Sequence, residues 1–278
     1  MPRVVIAGCG FLGEIAADLF SENGWAVLGL CARQESVERF SAKPYGVRAV
    51  DIGSPFSLGS AWRGVDALVH CAGPDRAVPH AYRSVYVDGL LNSLAAVGPR
   101  HVLVTGSTSV YAQVDGNWVD ETSETKPDRE TGRILLEAEG IARAAGGLVA
   151  RLSGLYGPGR SVILQKFLSG RAVIEGDGRR WVNQIHRDDA ARAVVHLLTK
   201  PARPGIYNVC DSQPATQSEV YMWLADYFQR PLPGKGERDL NRKRGWTNKR
   251  VSNAKLRGTG WRPAFPAYRD AFASLTEG

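Results

Sequence analysis

The sequence predicts an α/β fold, in which a doubly wound parallel sheet is covered by helices and a small lobe lies near the C-terminus. Short β-branched runs alternate with helical stretches as far as about Tyr156, and this alternation is typical of parallel sheets with helices on both faces. Beyond that point Gly157-Pro158-Gly159 and Gly176-Asp177-Gly178 interrupt the pattern. At 278 residues, the chain is long enough for one large domain and a smaller lobe.

Each element of this fold is predicted from a local pattern, and the crossovers between strands should be right-handed. The predicted strands are Arg3–Ala7, Ala26–Cys31, Arg48–Val50, Ala67–Cys71, His101–Thr105, Gly147–Leu152 and Ile206–Val209. The predicted helices are Leu12–Glu22, Ser36–Ala42, Arg83–Ala96, Glu130–Ala144 and Asp188–Thr199.

The composition excludes several classes of protein. Apolar residues make up 44% of the chain, as in ordinary globular proteins, and the longest apolar runs fall far short of the roughly 20 residues that span a bilayer. The N-terminus opens on a strand-like run without the pattern of a secretory signal. We therefore expect a soluble, cytoplasmic protein.

The four cysteines, Cys9, Cys31, Cys71 and Cys210, lie far apart in the sequence and in or beside apolar runs. None belongs to a C-x-x-C pair, and no Cys/His group has the spacing of metal ligands. We expect buried, reduced thiols and no metal site.

The net charge is +7, and nine of the Lys and Arg residues lie between Lys235 and Arg257. A solvated basic face is one interpretation, and a wall for a phosphate-bearing ligand is another. Nucleic-acid binding is a weaker alternative, because no nucleic-acid motif accompanies the charge.

The turn Gly8-Cys9-Gly10-Phe11-Leu12-Gly13 has the pattern of a dinucleotide-binding fingerprint. Gly8 permits the tight turn, Gly10 lets the backbone approach a pyrophosphate, and Gly13 lets the helix pack closely on the sheet. The start of the helix supplies N–H groups and the positive end of its dipole. Because the motif stands between a predicted strand and a predicted helix, it indicates a Rossmann domain that binds a nicotinamide dinucleotide.

The end of the second strand favours NADP over NAD. An NAD-binding protein usually has Asp or Glu there, whereas this chain reads Cys31-Ala32-Arg33-Gln34-Glu35, so Arg33 is placed to meet a 2′-phosphate. The alternative is that Arg33 lies over the adenine or points to solvent. Asp51-Ile52 after the third strand could hold the adenine, and Cys71-Ala72-Gly73 after the fourth leaves room for the ribose.

These features divide the chain into two parts. We expect residues 1–156 plus 185–210 to form the dinucleotide-binding Rossmann domain, and residues 157–184 plus 211–278 to form a small substrate-binding lobe.

The chain resembles the extended branch of the short-chain dehydrogenase/reductase superfamily, the NAD-dependent epimerase/dehydratase family. The resemblance covers nearly the whole chain. Its further markers are Ser107-Thr108-Ser109-Val110-Tyr111, Arg151 to Pro158, Gly176-Asp177-Gly178, His186-Arg187-Asp188-Asp189 and Tyr207-Asn208-Val209.

The resemblance implies a catalytic Ser after the fifth strand, then a Tyr that acts as general acid/base and a Lys four residues later that lowers its pKa. Ser107 matches the Ser. The Tyr position holds Thr131 and the Lys position holds Leu135, and no Tyr in the chain has a Lys four residues after it. Gly154 stands where relatives place an Asn for the substrate, and the Arg-Asp-Phe stretch of the nucleotide-sugar enzymes is absent.

Other residues keep two interpretations each. Tyr111 is either a substitute acid or a positioning and packing residue, and Arg133 either supplies the missing charge or lies on the surface. His186 either contacts a ligand or has a structural role before the next helix. Thr131 itself stays a candidate because it occupies the Tyr position.

The sequence leaves two functional hypotheses. The first is an NADP(H)-binding epimerase/dehydratase-like oxidoreductase, acting on a small polar, sugar-like or phosphorylated substrate by a non-standard proton transfer; the second is a catalytically silent NADP(H)-binding sensor or scaffold. The resemblance also implies a homodimer that pairs through the helices Arg83–Ala96 and Glu130–Ala144.

Overall fold

A computed structural model of the chain describes residues 1–74, 81–200, 202–240, 245–272 and 275. Its centre is a seven-stranded sheet, and we label these strands in chain order. They are β1 (Arg3–Ala7), β2 (Ala26–Cys31), β3 (Gly46–Ala49), β4 (Ala67–His70), β5 (His101–Ser107), β6 (Leu148–Leu152) and β7 (Gly205–Val209).

The sheet order is β7-β6-β5-β4-β1-β2-β3, so the chain winds outward from β1 in both directions. The pairings of β1 with β2 and β4, of β2 with β3 and of β4 with β5 are parallel. Val5 on β1 is opposite Leu28 on one side and Leu68 on the other, and its side chain is fully buried. This doubly wound arrangement confirms the predicted fold class.

The helices lie between and after these strands. They are α1 (Gly13–Glu22), α2 (Gln34–Glu38), α3 (Gly89–Val97), α4 (Glu130–Ala144), α5 (Val162–Leu168), α6 (Arg187–Thr199), α7 (Gln217–Tyr227), α8 (Ala254–Gly258) and α9 (Tyr268–Phe272). Short helical turns occur at Ser60–Trp62, Ala81–Arg83 and Thr108–Val110.

Four pairs of short strands lie outside the central sheet. Gly154–Tyr156 pairs with Gln184–His186, Trp181–Val182 with Ala215–Thr216, Ile174–Glu175 with Lys235–Gly236, and Trp118–Val119 with Arg250–Val251.

The predicted element boundaries differ from the structure at several places. The predicted helix Ser36–Ala42 is the shorter α2, and the predicted strand Arg48–Val50 begins earlier, as β3. The predicted helix Arg83–Ala96 contains a wide π turn at Ser84–Asp88 before α3. It ends where Gly98 adopts a left-handed conformation (φ +57°), which a residue with a side chain rarely takes.

The chain divides into two compact units. The first comprises Met1–Ser107, Arg133–Arg151 and Ala191–Tyr207, and the second comprises Thr108–Gly132, Leu152–Ala190 and Asn208–Gly278. These boundaries differ from those of the predicted domains, and the assignment of a substrate-binding lobe stays a prediction.

Each unit has its own core. In the first unit the residues of β1 from Val4 to Ala7 are completely buried. In the second unit an aromatic and aliphatic cluster includes Tyr156, Phe167, Leu224 and Phe272, all of them less than a tenth exposed. Within the described residues, no helix combines the length and the apolar character that crossing a membrane requires.

Candidate functional site

The glycine turn after β1 has a backbone that only glycine fits at its first position. The N–H groups of Gly8 and Cys9 both donate to the Leu30 carbonyl oxygen, at 3.0 and 2.8 Å. Gly8 has φ +100°, and a Cβ there would overlap the backbone nitrogen of Ala72. The turn therefore joins the ends of β1, β2 and β4 at one edge of the sheet.

The two later glycines of the turn differ in what surrounds them. A Cβ on Gly13 would overlap the Gly8 carbonyl oxygen and would lie 3.0 Å from Cys71 Sγ, so Gly13 is needed for close packing of α1. A Cβ on Gly10 would meet no atom of the described residues within 4 Å. Gly10 thus leaves open space above the backbone, which is where the sequence places a pyrophosphate.

The N-terminus of α1 suits an anion. The helix begins at Gly13, its N-cap residue is Leu12, and no side chain of the described residues caps it. Phe11 is half-buried and Leu12 is buried, so they border the turn without presenting a carboxylate. The first N–H groups of a helix need acceptors from outside it, and a phosphate group is the usual one at such a turn.

Arg33 is the second residue after β2 and is exposed. Its backbone is extended (φ −125°, ψ 143°), and it is the N-cap residue of α2. Cys31 and Ala32 precede it, and Glu35 lies in the first turn of α2, so no acid stands between the strand end and Arg33. A basic side chain at this strand end fits a 2′-phosphate, and the preference for NADP stays a prediction.

The predicted adenine contact after β3 is organised locally. One Asp51 carboxylate oxygen accepts the Gly53 N–H at 2.9 Å, and the other accepts the Ser54 hydroxyl at 3.2 Å. The Ile52 side chain is 8% exposed, and its carbonyl oxygen accepts from Asn92 Nδ2 at 2.9 Å. Both residues are therefore fixed, and their role toward adenine stays a prediction.

The segment after β4 lies against the glycine turn. The Cys71 N–H donates to the Ala7 carbonyl oxygen at 2.9 Å, and its Sγ donates to the Gly8 carbonyl oxygen at 3.3 Å. Ala72 is half-buried and Gly73 is exposed. The structure thus brings the ends of β1 and β4 together, as a ligand site formed by both would require.

The cysteines around the turn are Cys9, Cys31 and Cys71, and burial and hydrogen bonding set the pKa values of their thiols. All four cysteines are free, and three of them are buried. Burial raises the pKa of Cys71 to about 12. A hydrogen bond between the Cys9 and Cys31 side chains raises the pKa of Cys9 and lowers that of Cys31. Among the described residues, no group of His, Cys, Asp or Glu has the arrangement of metal ligands.

Two residues of the predicted catalytic set, Ser107 and Thr131, lie on β5 and α4. Ser107 ends β5 and is 6% exposed. Thr131 lies in the first turn of α4 and is half-buried, and Leu135, one turn later, is 1% exposed. Arg133 is exposed on the same helix. The helix therefore presents a hydroxyl group and a buried apolar side chain at the two positions that the sequence analysis assigned to Tyr and Lys, and this assignment stays a prediction.

Tyr111 is completely buried in the second unit. Its hydroxyl donates to Asn208 Oδ1 at 2.9 Å, and its ring packs with Val119 and Val251. The Asn208 N–H in turn donates to Glu121 Oε1 at 2.7 Å, and burial raises the pKa of Glu121. This placement favours the positioning and packing interpretation of Tyr111.

The sequence did not single out the partners of Tyr111. Asn208 is part of the marker Tyr207-Asn208-Val209, but its partner lies 97 residues away, and Glu121 has no local pattern that would reveal it. Only a comparison of many relatives could have linked these positions in advance.

His186 has a structural environment. It is 3% exposed, and its ring lies 5.3 Å from that of Tyr156 and 4.4 Å from that of Phe265. Its Nδ1 accepts the Asp188 N–H at 3.3 Å, at the start of α6. These contacts favour the structural interpretation over ligand contact.

Comparisons with known proteins agree with this geometry. The model of the NAD dependent epimerase/dehydratase family matches residues 4–210. Protein YeeZ of Escherichia coli K12 is 31% identical over 235 residues, which cover 81% of this chain and 83% of YeeZ.

Solved structures give the same picture. A Methylobacillus flagellatus protein provisionally described as an NAD-dependent epimerase/dehydratase has a TM-score of 0.78 and 30% identity, over 99% of this chain and 98% of that one. DesIV, a dTDP-glucose 4,6-dehydratase of Streptomyces venezuelae solved with NAD and TYD bound, has a TM-score of 0.81 over 99% and 96% of the two chains. At 20% identity, DesIV shows the fold alone. Since the family model spans well over half of the sequence and the glycine turn has the geometry that dinucleotide binding needs, the chain belongs to the NAD-dependent epimerase/dehydratase family.

Proposed function

We propose that this protein is an NADP(H)-binding oxidoreductase of the epimerase/dehydratase type, which acts on a small polar, sugar-like or phosphorylated substrate by a non-standard proton transfer. The observation that carries the proposal is the turn from Gly8 to Gly13. It combines open space at Gly10 with an uncapped N-terminus of α1, so a pyrophosphate fits it. Membership of the NAD dependent epimerase/dehydratase family supports a nicotinamide dinucleotide as the cofactor.

Arg33 supports NADP as the first choice and NAD as the second. It is exposed and is the second residue after β2, near the strand end where an acid would accept the ribose hydroxyls of NAD. A guanidinium group binds a phosphate group through paired hydrogen bonds. NAD has no 2′-phosphate, so Arg33 would form no such contact with it.

The chemistry of the site depends on the groups around the nicotinamide. When bound, the nicotinamide accepts or donates a hydride. We assign to Ser107 the orientation of the substrate oxygen, because it ends β5 at the carboxyl edge of the sheet. Thr131 cannot act as a phenol does near neutral pH, and Leu135 carries no charge, so the proton must move through another group or through water.

The cofactor preference is tested by calorimetric titration with NADPH and NADH. We expect Arg33→Ala to weaken NADPH binding by about tenfold or more and NADH binding much less, because a hydrogen bond to a charged group contributes about 1.5–3 kcal/mol. Arg63→Ala, at another exposed arginine of the first unit, is the matched control. Equal losses for both cofactors would show that Arg33 does not bind a 2′-phosphate.

Catalysis is tested by following nicotinamide absorbance with a panel of carbonyl and alcohol substrates. We expect turnover that Ser107→Ala reduces strongly while NADPH affinity is kept. A panel without turnover across the pH range, together with tight NADPH binding, would contradict the enzymatic proposal.

Tight NADPH binding without turnover would support the other candidate, a catalytically silent NADP(H)-binding sensor or scaffold. The observation that favours it is the pair Thr131 and Leu135, which leaves the helix without the family's acid/base and its cation. Substrate turnover abolished by Ser107→Ala would exclude it.

We further propose a homodimer that forms through the segment 83–96 and α4. Leu91 on α3 is 48% exposed, as a residue in such an interface would be in a single copy. Sedimentation of the protein at several concentrations measures its mass, and a monomer at all of them would contradict the proposal.

A further inference from the structure

The second unit contains a buried lysine whose charge has no matching carboxylate. Lys249 is 4% exposed, and its Nζ donates to the Thr247 hydroxyl at 2.8 Å. No carboxylate among the described residues forms an ion pair with it. Lysine is almost never this buried unless it is paired. Burial, with a smaller contribution from the charge of Arg180, lowers the pKa of Lys249 to about 7.

A second cation, Arg180, acts electrostatically on Lys249 and is also incompletely hydrogen-bonded. The Arg180 side chain is 18% exposed, and burial lowers the pKa of this guanidinium. Its Nε lies 3.6 Å from Glu175 Oε2, which is within ion-pair distance but too long for a hydrogen bond, and this buried N–H has no hydrogen-bond partner among the described residues. The same carboxylate oxygen accepts from Trp246 Nε1 at 3.2 Å. The Glu175 carboxylate is therefore shared between the Arg180 guanidinium and an indole N–H.

The backbone holds the two cations in place. The Trp181 N–H donates to Asn248 Oδ1 at 2.9 Å. Asn183 is hydrogen-bonded on both sides, since its Nδ2 donates to the Lys249 carbonyl oxygen and its Oδ1 accepts the Val251 N–H, each at 2.8 Å. The segments that carry Arg180 and Lys249 are thus fixed to each other, and little order would be lost when a ligand binds.

We propose that Lys249 and Arg180 form a binding site for one oxyanion, a phosphate or carboxylate group of a small ligand. Such a group would accept hydrogen bonds from Lys249 Nζ and from the guanidinium. It would supply the negative charge that Lys249 lacks and would complete the hydrogen bonding of Arg180, whose ion pair with Glu175 is long. The statement that this ligand is the substrate rests on the proposed function, whereas the site itself does not.

This assignment separates Lys249 from the rest of the basic segment between Lys235 and Arg257. Arg250, its neighbour, lies over the rings of Trp118 and Trp181, at 5.1 and 5.0 Å from their centroids, and donates from Nε to the Gly116 carbonyl oxygen. Its charge is therefore already engaged. Lys249 is the buried cation of this segment that lacks a comparable partner among the described residues.

The test uses sulfate as the probe, on the full chain without dinucleotide. We expect sodium sulfate to raise the unfolding temperature of the wild-type protein more than sodium chloride at equal ionic strength, and calorimetry to give one bound sulfate. Lys249→Met removes a buried charge and is expected to fold well. It should lose at least nine-tenths of the sulfate affinity, whereas Lys166→Met, at an exposed lysine on α5, should keep it.

Acetate provides the second arm, because it carries a carboxylate with a single charge. Acetate binding that depends on Lys249 would assign the site to carboxylates, and sulfate binding alone would assign it to phosphate groups. Absence of both, or equal sulfate binding by the wild type and Lys249→Met, would overturn the proposal.

The pH dependence gives an independent measurement. Sulfate does not titrate near neutrality, so its affinity follows the protonation of the site. The groups that face the ammonium are Arg180, which stays protonated, and the uncharged Thr247. We expect the affinity to fall by about tenfold per pH unit above pH 7 in the wild type, and to be flat in Lys249→Met. A lack of substrate turnover would leave these results unchanged, so the two proposals fail separately.

Discussion

Replacement of Gly10 by Ala separates folding from cofactor binding. The added Cβ would meet no atom within 4 Å, and Gly10 has no positive φ, so the folded backbone accepts alanine. The same Cβ would occupy the space that we assign to the pyrophosphate. We therefore expect a stable protein that binds NADPH poorly.

The magnitudes follow from these contacts. A Gly→Ala change at a compatible position alters the free energy of unfolding by at most about 1 kcal/mol, and usually increases it. Displacing the pyrophosphate costs charge-assisted hydrogen bonds from the backbone, each of about 1.5–3 kcal/mol. Loss of one such bond weakens NADPH by about tenfold, and loss of two by about a hundredfold or more.

The assay combines urea unfolding with calorimetric titration of NADPH. Gly234→Ala is the matched control, because Gly234 is exposed in a loop and its Cβ would also meet no atom within 4 Å. It should leave both stability and affinity unchanged. Wild-type affinity in Gly10→Ala would show that the pyrophosphate does not lie above this residue, and a large loss of stability would show that the space is not open.

Three further predictions concern the stability of the first unit. Gly13→Ala should lower the free energy of unfolding by about 1–3 kcal/mol in urea titrations, since its Cβ overlaps the Gly8 carbonyl oxygen, and an unchanged midpoint would contradict this packing. Burial lowers the pKa of His70 from 6.5 to about 4, so the unfolded state binds the extra proton first. The contribution of His70 to the free energy of unfolding is fully present above pH 6.5, and about 3 kcal/mol of it is lost as the pH falls to 4. His70→Gln should abolish this loss. Parallel curves of unfolding free energy against pH for the wild type and the variant would refute it. Glu139→Ala removes the carboxylate that Arg151 binds through Nη2 at 2.7 Å in a site where both side chains are at most 4% exposed. It should cost about 3–5 kcal/mol, and a loss near zero would show that the pair is solvated.

Much of the fold could be predicted from local pattern. β1 and β2 have the predicted bounds, because their apolar runs end at glycines and charged residues that are readable in the sequence. The predicted helix at 36–42 was displaced, because Arg33 is extended and the helix begins directly after it. Such boundaries depend on backbone conformation and packing, which a periodic pattern does not contain.

The candidate site divides in the same way. The order of Gly8, Gly10 and Gly13 and the absence of an acid beside Arg33 are properties of the sequence. That Gly8 lies against Ala72 and that Gly10 faces open space required the structure, because both depend on strands distant along the chain.

The sequence by itself determined the glycine spacing of the turn from Gly8 to Gly13, and it determined that Thr131 and Leu135 stand where the resemblance implies Tyr and Lys, since both are matters of residue identity at fixed spacing. Only the tertiary structure decided that the Tyr111 hydroxyl is directed to Asn208 and that Lys249, one of nine basic residues in its segment, is buried beside Arg180. The physical reason is that hydrogen-bond partners and burial are set by segments far apart in the chain. The charge of a residue is visible in the sequence, but the free energy of that charge depends on what surrounds it.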